Sequence, residues 1–181
     1  MPADPAFESI RTERLTIRRF REDDLPALVA YRNDPDVARY QAWELPYTEE
    51  AAGELLAEIR RLSPGEAGEW FQFAIEERSL GVAIGDCGLR PNPADPALAE
   101  IGFTLAPGAQ GHGYATEAVG AVLGYAFERL GVRMLEAYAD ARNTRSIALL
   151  ERLGMRLVAT HDIEFKGELA PEHVYELESG S

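Results

Sequence analysis

A chain of 181 residues, 46% apolar and 27% charged, has the size and composition of one soluble globular domain with a core of its own. The formal net charge of -13 argues against a nucleic-acid partner, which requires clustered Lys and Arg; it favours cationic substrates such as amines, or serves solubility alone. No apolar run approaches a membrane span, Met1 to Glu8 lacks the basic start and apolar stretch of a secretion signal, and Cys87, the only cysteine, precludes an internal disulfide and a cysteine metal cluster.

The expectation from these properties is a cytoplasmic single domain, residues 1–181, with its core at about 9–177 and short flexible termini. Arg14 to Phe20, with Leu15 and Ile17 between polar neighbours, predicts a short strand. Asp23 or Asp24 can cap a helix through Leu25, Leu28 and Arg32. Thr48 predicts the cap of a second helix, with Glu49 and Glu50 in its first turn and Leu55, Leu56, Ile59 and Leu62 as its apolar face. Pro64 and Gly65 end it. Trp70–Glu77 and Gly81–Leu89 predict a hairpin through the tight link Arg78–Leu80. A proline-rich loop from Pro91 to Pro96 leads to a fourth strand, Leu98–Leu105.

In the second half, Ala115, Ala118, Val119, Val122, Leu123, Ala126, Phe127 and Leu130 recur at helical spacing and make one apolar face, closed by Gly131. Val132–Ala139 is the fifth strand. Thr144–Leu153 is a short helix that Asn143 can cap and Gly154 can stop. Leu157–Phe165 and Val174–Leu177 close the chain as strands. The order predicts a mixed α/β sheet, not the strict alternation of a doubly wound fold.

The segment that carries chemistry lies between the fourth strand and the helix after it: Gln110-Gly111-His112-Gly113-Tyr114-Ala115. Glycines permit a sharp turn and a close approach of a ligand to the backbone. The helix that follows aims unpaired N–H groups and its dipole at the turn. Such a turn suits a phosphate or pyrophosphate, although a plain strand-to-helix link would have the same spacing. A nucleotide triphosphatase loop would need Gly-Lys-Ser or Gly-Lys-Thr, and Gly113 is followed by Tyr114 and Ala115. A Rossmann turn would need a third glycine, which is missing here.

The segments Ala99-Glu-Ile-Gly-Phe-Thr-Leu105 and Gln110-Gly-His-Gly-Tyr-Ala-Thr-Glu-Ala118 resemble the acetyl-CoA signature of GNAT acetyltransferases, Gln or Arg-x-x-Gly-x-Gly or Ala. Asn143-Thr-Arg-Ser146 with Leu149-Leu-Glu-Arg-Leu-Gly-Met155 resembles that superfamily's second cofactor segment. Arg11-Thr-Glu-Arg-Leu-Thr-Ile-Arg18 is similar to the opening strand of the branch that holds the ribosomal-protein serine and alanine N-acetyltransferases. The resemblance spans about Ser9 to Leu177. It implies the GNAT fold: a central mixed, mostly antiparallel sheet flanked by helices and splayed between the fourth and fifth strands. It also implies acetyl-CoA as the acetyl donor, with the pantetheine arm along the backbone of Phe103, Thr104 and Leu105. Gln110, Gly111, His112, Gly113, Tyr114, Ala115 and Thr116 would hold the pyrophosphate, and Asn143 would bond the pantetheine arm or simply cap its helix. No metal is expected, because His161 and His173 lack ligand spacing.

The implied reaction is direct attack of an amine on the thioester, which requires a neutral amine, a polarised carbonyl and an acid for the thiolate. Glu100 matches the position where many family members carry a general base, or is an ordinary strand carboxylate. Ser146 could donate to the thiolate, or is a helix-face serine. Leu150 stands where many members carry a tyrosine. Tyr125 and Tyr138 are read as packing aromatics, and His112 as part of the turn. At pH 7 an α-amine is neutral about 300-fold more often than a lysine. The expected acceptor is therefore a protein or peptide α-amine, with a small amine (aminoglycoside, polyamine or amino acid derivative) or a non-catalytic acyl-CoA-binding module as alternatives. The aromatic segment Arg39–Tyr47 forms a wall of the acceptor cleft or a plug over the core. Neither nucleic acid nor membrane is an expected partner, and a homodimer is left open.

Overall fold

A computed structural model describes residues 3–180. Its strands are β1 (Ser9–Arg11), β2 (Leu15–Arg18), β3 (Phe71–Glu77), β4 (Val82–Pro91), β5 (Leu98–Leu105), β6 (Met134–Asp140), β7 (Arg156–Phe165) and β8 (Glu168–Glu178). Its helices are α1 (Leu25–Arg32), α2 (Pro35–Ala38), α3 (Glu49–Arg61), α4 (Tyr114–Glu128) and α5 (Thr144–Arg152). The strands form one sheet in the order β1-β2-β3-β4-β5-β6-β8-β7. Neighbours are antiparallel throughout, except β5 and β6. That pair is joined by the long crossover through α4, the connection a parallel pair requires.

The parallel pair is short. Only Leu98↔Met134, Ala99↔Leu135 and Glu100↔Glu136 are in register. Beyond Glu100 each strand follows its own antiparallel partner, β5 with β4 as far as Leu105↔Gly85 and β6 with β8 as far as Asp140↔Glu172. The sheet therefore opens between β5 and β6, as the resemblance implied for the fourth and fifth predicted strands.

The amphipathic pattern of the second half is what closes the core. α4 buries Ala118, Val119, Val122, Leu123, Tyr125 and Ala126. Phe7, Phe73 and Tyr125 meet edge to face, with centroids of Phe7 and Phe73 5.1 Å apart and of Phe7 and Tyr125 5.2 Å apart, the geometry that ring quadrupoles favour. The Thr48 hydroxyl accepts from Ala51 N–H at 3.1 Å and starts α3 as expected. Ala52, Leu56 and Ile59 are its buried residues, and Leu55 and Leu62 pack against the core from its margin.

Four local expectations change. The predicted strand Arg14–Phe20 is present as β2, but a further strand, β1, precedes it, because Thr12 bonds back to Leu15 through both its N–H (3.0 Å) and its hydroxyl (3.2 Å) and folds the chain into a hairpin. Asp24 sits at the cap position of α1 without capping it. Its carboxylate is drawn to the Arg18 guanidinium at 2.7 and 2.9 Å and to Arg21 N–H at 2.7 Å. The single-turn α2, capped by Asp34 at 3.0 and 3.1 Å, is too short to leave a periodic signal. β8 begins at Glu168 rather than Val174, since Glu168 to His173 lacks apolar alternation and pairs as a strand only because β6 and β7 flank it.

Candidate active site

The opening between β5 and β6 is a cleft lined among others by Gln41, Phe103, Tyr138, Asn143, Ser146 and Glu172. Successive residues in a ladder turn their backbone groups to opposite edges. The Phe103 carbonyl accepts from Gln41 Nε2 at 3.3 Å and the Leu105 carbonyl from Gln110 Nε2 at 3.1 Å. Side chains, not a strand, reach this edge, so an extended amide-bearing arm can be added to it. Thr104, the third residue expected there, is buried in register with Asp86 of β4; its backbone faces the other edge.

The turn after β5 keeps its amides open. Gly111 and Gly113 have φ of 80° and 79°, in the left-handed region that glycine enters without cost. Gly113 is the cap residue of α4, and no side chain bonds the first-turn amides in its place. The position of a Cβ on Gly111 has nothing within 4 Å. Four unpaired N–H groups at the positive end of a helix fit a pyrophosphate. Cations flank them: Arg145 Nη1 donates to Gln110 Oε1 at 2.8 Å, and Arg152 Nη1 to Thr116 Oγ1 at 3.3 Å. Both arginines come from α5, and they supply locally the positive charge that a chain of net charge -13 lacks at long range. His112 is exposed and stacks on Tyr114, with centroids 6.0 Å apart. Gln110 to Thr116 are thus gathered in one place. Asn143 and Ser146 line the cleft, and Asn143 Oδ1 accepts from Ser146 N–H at 3.2 Å. Asn143 therefore caps α5 and lines the cleft at once.

The titratable groups form a row at the mouth. The Glu100 carboxylate is ion-paired with Arg90, whose guanidinium lies 4.9 Å over the Trp70 ring. Glu136 is opposite Glu100 in the last paired rung, and Glu172 is opposite Asp140. Burial, and then the charge of Glu100, raise the Glu172 carboxyl above the usual carboxylate range. The Tyr138 hydroxyl donates to Glu136 Oε2 at 3.0 Å. Burial and that bond push it up to about 12, so it keeps its proton at neutral pH. Tyr138 is 43% exposed and lines the cleft; it is not the packing aromatic expected. Tyr125 is, with its hydroxyl donating to Asp4 at 2.8 Å. Leu150 is buried in the core.

Tyr138 could have been found from the alternation Glu136-Tyr138-Asp140 along β6, which puts three polar groups on one face. Glu172 carried no such signal, because its segment does not read as a strand. The aromatic segment divides between its two readings. Tyr40 and Gln41 line the cleft. Trp43 and Tyr47 instead cover the buried Arg32, at 4.3 and 5.0 Å from its guanidinium. Lys166 Nζ, at the β7–β8 turn, donates to the carbonyls of Ala38 and Trp43 at 2.9 Å each and ties the wall to the far hairpin. His173 Nδ1 bonds Thr160 Oγ1 at 2.9 Å, and among the described residues no cluster of three His, Cys, Asp or Glu is arranged for a metal.

Residues 14–156 match the acetyltransferase (GNAT) domain family. The uncharacterized N-acetyltransferase p20 of Bacillus licheniformis is 34% identical over 152 residues, 83% of each chain. Among solved structures, the ribosomal-protein-S5-alanine acetyltransferase of Vibrio fischeri superposes with a TM-score of 0.82 at 18% identity, covering 95% of this chain and 97% of its own. Spermidine N-acetyltransferase of Vibrio cholerae, in complex with CoA and spermine, superposes with a TM-score of 0.79 at 21% identity, covering 92% and 96%. The last two likenesses are likenesses of fold.

Proposed function

This chain belongs to the GNAT acetyltransferase family and is an acetyl-CoA-dependent N-acetyltransferase; we propose that its acceptor is the α-amine of a protein or peptide. When bound, acetyl-CoA supplies the thioester that the amine attacks. The edge at Phe103 and Leu105, where side chains and not a strand pair, takes the pantetheine arm, the turn Gln110 to Thr116 takes the pyrophosphate, and Asn143 bonds the arm from the other wall. Glu172, which lines the cleft, receives the amine's proton, and the charge of Glu100, the base that the resemblance implied, strengthens it as a base. Ser146, or Tyr138, which lines the same cleft, protonates the leaving thiolate. The cytoplasm, where buried Cys87 stays reduced, is the setting we assign.

The observation that carries this reading is the Glu172 carboxyl, held above its usual range at the mouth of an open cleft. A carboxylate remains a weak base even so. It suits an α-ammonium of pKa about 7.8 far better than a side-chain ammonium of about 10.4. A second reading has its own support: Glu100, Glu136, Asp140 and Glu172 make an acidic mouth, attractive to a small polycation, and the Vibrio cholerae neighbour is a spermidine N-acetyltransferase.

Thiol release from acetyl-CoA, measured with free-amine peptides, the same peptides blocked at the N-terminus, spermidine and an aminoglycoside, separates the two. The α-amine reading expects the highest kcat/KM on the free peptides and none on the blocked ones. Faster turnover of spermidine than of any peptide overturns it.

A further inference from the structure

The opening hairpin of the chain, β1 and β2, contributes nothing to the acceptor cleft, yet its turn reaches the phosphate turn. Arg14 Nη1 donates to the His112 carbonyl at 2.8 Å, and Arg14 Nε to Glu117 Oε2 at 2.7 Å. Glu117, in the first turn of α4, also accepts from the Thr12 hydroxyl at 2.6 Å and from Arg14 N–H at 2.8 Å. The Arg14 guanidinium stacks 4.5 Å over the Tyr114 ring. Every bonding atom of the Glu117 carboxylate is thus used by Thr12 and Arg14, and the fork of Arg14 spans the carboxylate and the turn at once, which a lysine ammonium could not do in the same plane.

The peptide between His112 and Gly113 is planar, with its C=O and N–H on opposite sides. By holding the His112 carbonyl, Arg14 turns the Gly113 N–H the other way, toward the open side of the turn. Glu117 needs its counter-charge for a second reason. A carboxylate is favourable near a helix N-terminus but competes there with any other anion, and a bare Glu117 would repel a pyrophosphate one turn away. We propose that Arg14 and Glu117 are positioning residues for acetyl-CoA: they aim the amide of Gly113 and cancel the one negative charge in the first turn of α4. The proposal rests on the family's use of acetyl-CoA and is independent of which amine is the acceptor.

The two roles predict an order that packing alone would not produce. Arg14→Gln loses both the aim and the neutralisation, and CoA affinity should fall about ten- to a hundredfold, the range of a charge-assisted hydrogen bond. Glu117→Gln leaves Arg14 on the His112 carbonyl and should fall at most a fewfold. The double variant Arg14→Gln/Glu117→Gln should bind CoA better than Arg14→Gln alone, because the bare carboxylate is gone. Calorimetric titration of CoA into parent and three variants, with no acceptor present, measures this. Melting without ligand reports folding separately. Equal affinity in all four proteins overturns the proposal. So does a double variant weaker than Arg14→Gln, in step with a lower melting temperature, which would mark the pair as a structural staple. A parent that takes no CoA would instead count against acetyl-CoA dependence itself.

Discussion

Glu172 illustrates how one carboxyl acquires a task from its surroundings. Burial raises it first, and the charge of Glu100 raises it further, while Glu100 itself is tied to Arg90. The two carboxylates therefore have different expected signatures. Glu172→Gln removes the acceptor of the amine proton, and kcat/KM at neutral pH should drop by about 10²–10⁴-fold. Glu100→Gln takes away a negative neighbour, so the Glu172 carboxyl should ionise at lower pH. The acidic limb of the kcat/KM profile should move to lower pH by the same amount. A pH–rate profile whose acidic limb stays in place in Glu100→Gln would show that the two groups do not act as a pair. Steady-state kinetics across pH, on whichever acceptor proves best, decides it.

At the level of elements, the turn and the helix behind it act as one device. α4 exists because its apolar stripe packs on the sheet, and its free first-turn amides are a by-product of ending that helix on a glycine. Gly113 at φ 79° occupies backbone space that a β-branched residue enters only under strain. Its Cβ would also stand 3.4 Å from Arg14 Nη2. Gly113→Val is expected to abolish CoA binding in calorimetry while circular dichroism keeps its native shape, since the core face of α4 is untouched. Normal CoA affinity in that variant would make the turn a connector and nothing more. α5 is the complementary element. Its cap residue Asn143 lines the cleft, and its arginines, Arg145 and Arg152, reach the turn, so α5 links the cleft to the phosphate turn.

Across the whole molecule, the acidic excess is balanced locally where the fold needs it. Arg18 is 4% exposed and Asp24 5%, and Arg18 bonds both Asp24 and, at 2.8 Å, Glu76. Burial alone would raise the Asp24 carboxyl, but the Arg18 guanidinium and Arg21 N–H together hold it below its ordinary value of 3.8. A depressed folded pKa means that the stabilisation is present above the unfolded value and is lost as pH falls through the folded one. Asp24→Asn leaves Arg18 short of a partner in the interior and should cost about 3 kcal/mol in urea unfolding at pH 7, the lower end for a broken buried pair because Glu76 remains. The gap between parent and variant should narrow below pH 3.8, as the parent's own carboxyl is protonated. A gap that is constant with pH would mean that the pair contributes by shape and not by charge.

Elements whose signals are local were legible in the order of residues alone. The helix of α4 follows from its period, the turn from Gly111 and Gly113, the starts of α3 and α5 from Thr48 and Asn143, and the family from the spacing of these motifs. Each depends on residues within a turn or two of one another, where propensity and capping act. Features that depend on distant partners emerged with the fold. Arg14 reaches His112 and Glu117 across about a hundred positions, and Glu172 belongs to the cleft because β8 is forced into register with β6. Tyr138 faces the opening because β5 leaves β6 after Glu100. Asp24 abandons its cap for Arg18 because a buried guanidinium attracts a carboxylate more strongly than an exposed helix end does. Pairing of that kind is set by where the sheet brings side chains together, and no local pattern records it.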